Sequence, residues 1–308
     1  MTRVEVRIGT RGSPLALRQA HEVRDRLVAA NGLDAGAVEI VIIKTSGDRI
    51  QDRPLSEVGG KGLFTKEIEE ALIAGSIDCA VHSMKDVATV LPDGLEISCL
   101  LEREDVREAF ISPKARSISA LPAGSVIGTA SLRRQAQVLR ARPDCKVATF
   151  RGNVETRLRK LAAGEADATL LAYAGLKRLG LEDRATSLIS EDEMLPAIAQ
   201  GAIGIEIVSR NERVRKLLAP LSHADTAVCI AAERAFLARL DGSCKTPIAG
   251  LARLSPAGLR FRGMILATDG SSCHEAVRAG GRADAARLGH SAAEDVLAAA
   301  GPGFLARS

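Results

Sequence analysis

Tryptophan is absent from the chain, tyrosine occurs once, and aromatic residues make up only 2% of the sequence. Single-stranded nucleic acids are gripped by stacking bases on aromatic rings, so this scarcity disfavours a nucleic-acid binder. Charge of one sign is missing too: 42 basic residues stand against 38 acidic ones, a net charge of +4. No run of 18 apolar residues occurs, so no transmembrane helix is expected. Met1 to Gly9 alternates charged and apolar residues and leads to Arg11. That is not the pattern of a secretory leader, so a cytoplasmic protein with no membrane partner is expected. The six cysteines, Cys79, Cys99, Cys145, Cys229, Cys244 and Cys273, form no CxxC pair. A zinc site or thioredoxin-like redox centre therefore has no support, and no metal is expected. A disulfide framework does not suit a cytosolic chain of this length.

What is present fits an enzyme-sized α/β protein. With 308 residues, 46% of them hydrophobic, the chain is long enough for two or three domains with real cores. Of the 42 basic residues only 10 are Lys, leaving 32 Arg. Compositional bias accounts for much of that number, but each guanidinium is a rigid fork of donors suited to carboxylates and phosphates.

The first two-thirds alternate strand and helix patterns. Period-two residues at Val4 to Ile8 and the run Val38 to Lys44 predict strands, and Ser13-Pro14 opens a helix over Leu15 to Ala30 with Ser as N-cap. A helix over Leu63 to Ile73 and strands at Ile77 to Val81 and Leu95 to Leu101 complete a first α/β unit. Cys79 and Cys99 lie in these last two apolar runs and read as core residues. A second unit follows, with strands at Val126 to Gly128, Lys146 to Phe150 and Ala168 to Ala172. Its helices are expected from Ser131 to Ala141, Val154 to Ala163 and Gly175 to Leu179. Ile203 to Val208 is strand-like and could return to either sheet. From about residue 224 a helix, three successive strands and a final helix over Asp284 to Ala299 predict a small α+β domain. The expected division is residues 1–102 with about 200–220, then 103–199, then 221–308.

Several strand-to-helix junctions share one chemistry. Thr10-Arg11-Gly12-Ser13, Gly59-Gly60-Lys61-Gly62, Thr129 to Arg134, and Arg151-Gly152-Asn153 leading to Arg157 each put backbone N–H groups and a cation at a helix start. Such a terminus binds anions through its oriented N–H groups and dipole. One junction is weak support, since Ser and Thr caps are common; four favour a polyanionic ligand at the carboxyl ends of the strands. GGKG lacks the spacing of a P-loop, which disfavours a nucleotide. His82-Ser83-Met84-Lys85-Asp86 ends a buried strand. Asp86 reads either as a surface ion pair or as a carboxylate facing a cationic reaction centre. His82 reads as structural. Cys244 lies in a Gly/Pro turn beside Lys245, a setting for an accessible, thiolate-prone sulfur.

Taken in order, these residues resemble the porphobilinogen deaminase (hydroxymethylbilane synthase) family. The resemblance rests on IGTRGSPLAL (Ile8 to Leu17), VGGKGLFTKEIE (Val58 to Glu69), AVHSMKD (Ala80 to Asp86), GTASLRRQAQ (Gly128 to Gln137), RGNVETRL (Arg151 to Leu158), AGLKRLG (Ala174 to Gly180), QGAIGIE (Gln200 to Glu206) and the Cys244 loop. It implies two lobes like those of periplasmic solute-binding proteins around an active-site cleft, plus a C-terminal α+β domain. It also implies a transferase of tetrapyrrole (haem and porphyrin) biosynthesis. That enzyme adds four porphobilinogen units stepwise to a dipyrromethane cofactor, losing ammonia each time, and releases hydroxymethylbilane by hydrolysis. The cofactor would be thioether-linked to Cys244 and held by Ser83, Lys85, Thr129, Ser131, Arg133, Arg134 and Arg157. The substrate would meet Arg11, Ser13, Gln19, Lys61, Arg151 and Arg178, with Asp86 as the catalytic aspartate. Each pyrrole bears an acetate and a propionate, so a growing chain needs many placed guanidinium forks. A monomer is expected from the family.

Three residues depart from the family's usual pattern: Ala88 in place of Pro, and Ser243 and Ala199 in place of Gly. Loss of Gly matters wherever the backbone needs a positive φ. The rival reading is a solute-binding or ligand-sensing protein on the same two-lobed fold. The Cys244 loop and the Lys85-Asp86 pair favour the enzyme.

Overall fold

The computed structural model describes residues 4–49, 62–240 and 246–307. In chain order the elements are β1 (Val6–Arg11), α1 (Pro14–Asn31), β2 (Val38–Ile43), α2 (Ser46–Arg49), α3 (Lys66–Ile73), β3 (Cys79–Ser83) and β4 (Leu95–Leu100). Then come β5 (Glu108–Ile111), β6 (Val126–Gly128), α4 (Leu132–Ala141), β7 (Lys146–Ala148), α5 (Val154–Ala162), β8 (Ala168–Ala172), α6 (Tyr173–Leu179) and β9 (Ser187–Ile189). The chain continues with β10 (Ile203–Val208), α7 (Glu212–Leu218), α8 (Ala224–Arg239), β11 (Ile248–Ser255), β12 (Gly258–Leu266), β13 (Cys273–Gly280), α9 (Ala285–Ala300) and α10 (Phe304–Arg307). The described residues fall into two compact units, one of 4–49, 62–104 and 201–227, the other of 105–200, 228–240 and 246–307.

Unit 1 holds a five-stranded sheet in the order β2-β1-β3-β10-β4. β2, β1 and β3 run parallel, and β10 is antiparallel to both β3 and β4. The strand whose sheet the sequence left open therefore returns to the first one. Val6, Ile8, Val81, Cys99, Ile205 and Ile207 meet Ala20, Val23 and Leu27 of α1 on one face. Burial pushes the thiols of Cys79 and Cys99 up to about 12, as suits core sulfurs. α1 starts as its sequence predicts: the Ser13 hydroxyl accepts from Ala16 N at 3.3 Å and Pro14 opens the helix. Gly32, at φ 62°, closes it in the left-handed conformation.

Unit 2 repeats that strand order with different residues: β7-β6-β8-β5-β9. β7, β6 and β8 are parallel, and β5 is antiparallel to β8 and β9. The junction β6-to-α4 in this sheet corresponds to β1-to-α1 in the first, and Ser131 caps α4 as Ser13 caps α1. Unit 2 also carries the antiparallel sheet β11-β12-β13, covered by α9. Ala136 of α4 packs with Ala249, Leu251, Met264 and Leu266 of that sheet, so α4 is buried on two sides. This explains why a helix with two adjacent arginines is largely apolar in its surroundings.

The strands β5 and β9 and the helix α7 have no counterpart in the sequence reading. β5 and β9 span four and three residues, too short for alternation to show. Ala199 has φ 59°, the one positive φ at a non-glycine among the described residues. It lies one residue before the chain leaves unit 2 for unit 1. Its N–H donates to Glu233 Oε2 at 2.6 Å, and Glu233 Oε1 accepts from Ala252 N at 2.8 Å. A buried carboxylate on α8 thus holds this left-handed corner against β11. Ser243 lies outside the described residues, and nothing in the structure explains Ala88.

Candidate functional site

In unit 1 the strand ends build a small pocket lined by Arg11, Ala16, Gln19, Phe64, Thr65, Val81, His82, Ser83 and Asp86. Four residues expected from the sequence, Arg11, Gln19, Ser83 and Asp86, meet there. β1 delivers Arg11 at its last position, α1 delivers Gln19, and β3 delivers Ser83 ahead of the short turn Met84–Asp86. Gln19 and Ser83 are tied to each other, with the amide nitrogen 2.9 Å and the amide oxygen 3.1 Å from the hydroxyl. Gly204 on β10 leaves room for Met84, whose thioether would collide with any Cβ there. The Met84 N–H donates to Ala202 O at 3.0 Å, so the turn bearing Asp86 is fixed by backbone and side chain.

Arg11 is held on two sides. Its Nη2 donates to Asp48 Oδ1 at 2.5 Å, and its guanidinium carbon sits 4.1 Å from the centre of the Phe64 ring. The Phe64 ring presses on Gly47, where any larger residue would collide with it. Burial alone would raise the Asp48 carboxyl, but the bonds from Arg11 and Thr45 outweigh it and hold the group below its ordinary value. Arg11 is therefore aimed before any ligand arrives. Lys85 is exposed and Asp86 half-buried beside it.

At the pocket lies a group of titratable residues, of which the sequence reading took His82 as structural and gave Glu206 and Glu69 no role. His82 Nε2 is 2.9 Å from Glu206 Oε2, with both side chains buried. Glu69 of α3 is also buried, and its carboxyl is raised, first by burial and further by the charge of Glu206. One signal for Glu206 was present in the sequence: a carboxylate in the apolar run Ile203-Gly204-Ile205-Glu206-Ile207-Val208 must find a buried partner.

Unit 2 gathers a second set. Arg133 and Arg134 open α4, and both are buried. Arg133 Nη2 meets Glu108 Oε1 at 2.5 Å and Arg134 Nη2 meets Oε2 at 2.7 Å, with the Glu108 side chain at 0% exposure. Arg133 Nη1 also donates to Leu195 O at 2.9 Å, and Gln200 Nε2 to Glu108 Oε1 at 3.1 Å. Burial lowers the Arg133 pKa, Glu108 opposes this, the like charge of Arg134 adds to the lowering, and the net shift is downward. Two buried cations share one carboxylate, which leaves one positive charge in excess. Arg134 Nε is buried with no hydrogen-bond partner among the described residues, and so is Arg151 Nη1. Both are donors that an anionic ligand could meet. Like Glu206, Glu108 was foreshadowed by its position at the head of the apolar run Glu108-Ala109-Phe110-Ile111.

Other expected residues take local roles. Ser131 Oγ caps α4 at Arg134 N, 3.4 Å away, and Thr129 Oγ1 accepts from Ser131 N at 3.1 Å. Arg157 Nε donates to Gly152 O at 3.0 Å, and Arg178 is half-buried in the last turn of α6. Lys61 and Cys244 lie outside the described residues. Among the described residues no cluster of His, Cys, Asp or Glu could hold a metal ion, and no helix is long and apolar enough to cross a membrane.

Residues 6–216 match the family described as "Porphobilinogen deaminase, dipyromethane cofactor binding domain", and residues 227–298 match "Porphobilinogen deaminase, C-terminal domain". The chain is 60% identical over 297 residues to porphobilinogen deaminase of Nitrobacter hamburgensis, covering 96% of this chain and 94% of that one. It is 59% identical over 291 residues to that of Paracoccus denitrificans, covering 94% and 93%. It is 56% identical over 304 residues to the chloroplastic protein of Oryza sativa subsp. japonica, covering 97% and 85%. Among solved structures, a periplasmic substrate-binding protein from Coxiella burnetii is similar over 70% of this chain and 92% of its own, at 16% identity and a TM-score of 0.45. A likeness at that level decides nothing about this chain.

Proposed function

The chain belongs to the porphobilinogen deaminase family, and from that premise we propose that the unit 1 pocket is where porphobilinogen is condensed, with Asp86 as its catalytic carboxylate. The enzyme is a transferase of tetrapyrrole biosynthesis that joins porphobilinogen units stepwise on a dipyrromethane cofactor. The observation that carries the site is the meeting of Arg11, Gln19, Ser83 and Asp86 in one pocket, although they come from two stretches of chain more than 60 residues apart.

The pocket's residues divide the work by their chemistry. Arg11, pre-aimed by Asp48 and Phe64, binds an acetate or propionate of the incoming substrate as a charge-assisted fork. The Gln19–Ser83 pair offers a rigid donor–acceptor edge that orients the pyrrole. Loss of ammonia from the substrate leaves a cationic azafulvene, and the half-buried Asp86 stabilises that charge where water is scarce. Lys85, exposed next to it, offers a second cation for substrate carboxylates.

The donors of unit 2 fit the cofactor's carboxylates. The Glu108 cluster carries an unbalanced positive charge, and Arg134 Nε, without a hydrogen-bond partner among the described residues, is a donor of the kind that ring acetates and propionates satisfy. Arg133, Arg134, Thr129, Ser131 and Arg157, with Ser83 and Lys85, are the residues we assign to holding it, and Cys244 to its covalent attachment. When bound, it supplies the primer on which the product chain is built. Ser13, Lys61, Arg151 and Arg178 are assigned to the carboxylates of substrate and growing chain. We further propose a cytoplasmic monomer that binds neither nucleic acid nor membrane. Its division into domains is 1–102 with about 200–220, 103–199, and 221–308.

Intact-protein mass spectrometry tests the cofactor assignment. The purified enzyme should carry the added mass of two linked pyrroles, and Cys244→Ser should lack it. An active protein with an unmodified Cys244 refutes the assignment. Asp86→Ala should keep its fold and its cofactor but lose activity by about 100-fold or more; parental activity removes Asp86 from the reaction.

A further inference from the structure

A histidine at the end of a buried strand reads from sequence as structural, but His82 has both a partner and an outlet. Its Nε2 lies 2.9 Å from Glu206 Oε2, and the two side chains are 4% and 0% exposed. A hydrogen bond of that length between a ring nitrogen and a carboxyl oxygen requires one proton, which the pair holds between them. β10 pairs with β3 so that Gly204 is opposite His82, which brings Glu206 up behind the ring. Glu206 Oε1 is buried with no partner among the described residues, so nothing there competes with the histidine. No described residue hydrogen-bonds His82 Nδ1. His82 is among the residues that line the pocket holding Arg11, Gln19, Ser83 and Asp86. A carboxylate behind a histidine fixes the tautomer and stabilises the imidazolium formed when the ring takes a proton. Glu206 from β10 touches the ring, Glu69 from α3 interacts with it by charge, and Asp86 and the Asp48-paired Arg11 line the same pocket.

We propose that His82, backed by Glu206, is a further catalytic residue: it takes the pyrrole proton released as each new carbon–carbon bond forms. This rests on the reading of the unit 1 pocket as the condensation site. In each addition the substrate's aminomethyl group reacts as its ammonium form: the C–N bond breaks, and neutral ammonia leaves with the bonding pair. The α-carbon of a neighbouring substrate-derived pyrrole then bonds to the exposed methylene. The C–H bond at that α-carbon breaks, its electrons restore the aromatic ring, and the proton passes to His82 Nδ1. The expelled ammonia carries that proton off as ammonium. The dyad is thereby returned to its starting state, with no oxidant or metal consumed. Asp86 is left to stabilise the cation, a task distinct from accepting the carbon-bound proton.

The test is the steady-state kinetics of cofactor-loaded His82→Gln, with loading checked by intact mass. The expected kcat is about 100-fold lower, with KM within about twofold of the parent. Porphobilinogen deuterated at its free α-carbon should then show a primary isotope effect that the parent lacks, because C–H cleavage has become the slow step. A purely structural role would not create that isotope effect. A folded, loaded His82→Gln with parental kcat overturns the proposal, as does a lowered kcat without the isotope effect. Should His82→Gln fail to fold, Glu206→Gln keeps a hydrogen bond to the ring and leaves His82 in place. Loss of about tenfold in kcat with the same isotope effect supports the dyad, and parental kinetics overturn it. Asp86→Ala separates the two levels of inference. If it is fully active, the pocket assignment itself fails. If it is inactive while His82→Gln is parental, only the role of His82 fails.

Discussion

Glu108→Gln is the sharpest single perturbation of unit 2, because three buried donors converge on one carboxylate. Arg133 and Arg134 approach its two oxygens at 2.5 and 2.7 Å, and Gln200 adds a third bond at 3.1 Å. The arginine side chains are only 7% and 6% exposed, so water cannot replace the lost charge. Glutamine has the same shape, but it offers one acceptor oxygen and turns an NH2 donor toward the other guanidinium. Two buried cations are then left without a counterion. Breaking a buried pair in this way costs about 3–5 kcal/mol, which is roughly a 200- to 5,000-fold rise in the opening equilibrium. Native-state hydrogen exchange at the amides of β5 and α4 reads that change directly. The double variant Glu108→Gln/Arg134→Gln should recover part of the loss, giving a coupling energy of about 2 kcal/mol or more in a double-mutant cycle. A single variant that costs under about 1 kcal/mol would mean that the triad is not desolvated as described, and the case for its excess positive charge would fall with it.

The corner at Ala199 gives a second test. Ala199→Gly relieves about 1–2 kcal/mol of left-handed strain. It also loses a buried methyl worth about 0.8 kcal/mol and frees the unfolded chain by about 0.4–1 kcal/mol, so thermal melts should move little. Ala199→Val, a β-branched residue at positive φ, should destabilise by about 2 kcal/mol or more, and parity between the two variants would contradict the φ of 59°. Glu69 supplies a pH test. Its carboxyl is raised in the folded state, so its favourable contribution is complete below the ordinary carboxylate pKa and is lost as pH rises through the folded value. Glu69→Gln should accordingly lose less stability than the parent in urea melts taken from acid to neutral pH; an unchanged pH dependence counts against its burial beside Glu206. For Arg11, Asp48→Asn should cost under about 1 kcal/mol of stability, since the pair is partly exposed. It should nonetheless lower kcat/KM about tenfold by releasing the guanidinium from its aim, and unchanged kinetics would show that Arg11 needs no such support.

Much of this was legible in the sequence wherever the signal was local. Ser13-Pro14 announced α1, Ser131 announced α4, and the apolar runs at Cys79 and Cys99 announced core strands, because caps and burial patterns are properties of neighbouring residues. The pocket was legible as a set of motifs, and the structure supplies what links them: Gln19 to Ser83, and Arg11 to Asp48 and Phe64. What the sequence could not provide were the partners at long range. Glu206 lies 124 residues from His82, and Glu108 lies 25 and 26 from its arginines. A carboxylate in an apolar strand signals that a partner exists, but strand order alone decides which one. β5 and β9 were invisible for a different reason: four and three residues hold less than a usable period.

The exchanged strand of the first sheet has a consequence for how the protein is made. β10 sits between β3 and β4, yet it is synthesised about 100 residues after β4. At about 5–20 residues per second, the emerging first unit waits roughly 5–20 s with β3 and β4 lacking the strand that joins them. All five strands of the second sheet, by contrast, come from one unbroken stretch, Glu108 to Ile189. The sheet begun second can therefore close first, and the sheet begun first closes only after the other is made. During that interval the nascent chain presents open strand edges, the feature most prone to mispairing. Chaperone dependence, and sensitivity to ribosome stalling just before residue 203, should be concentrated there.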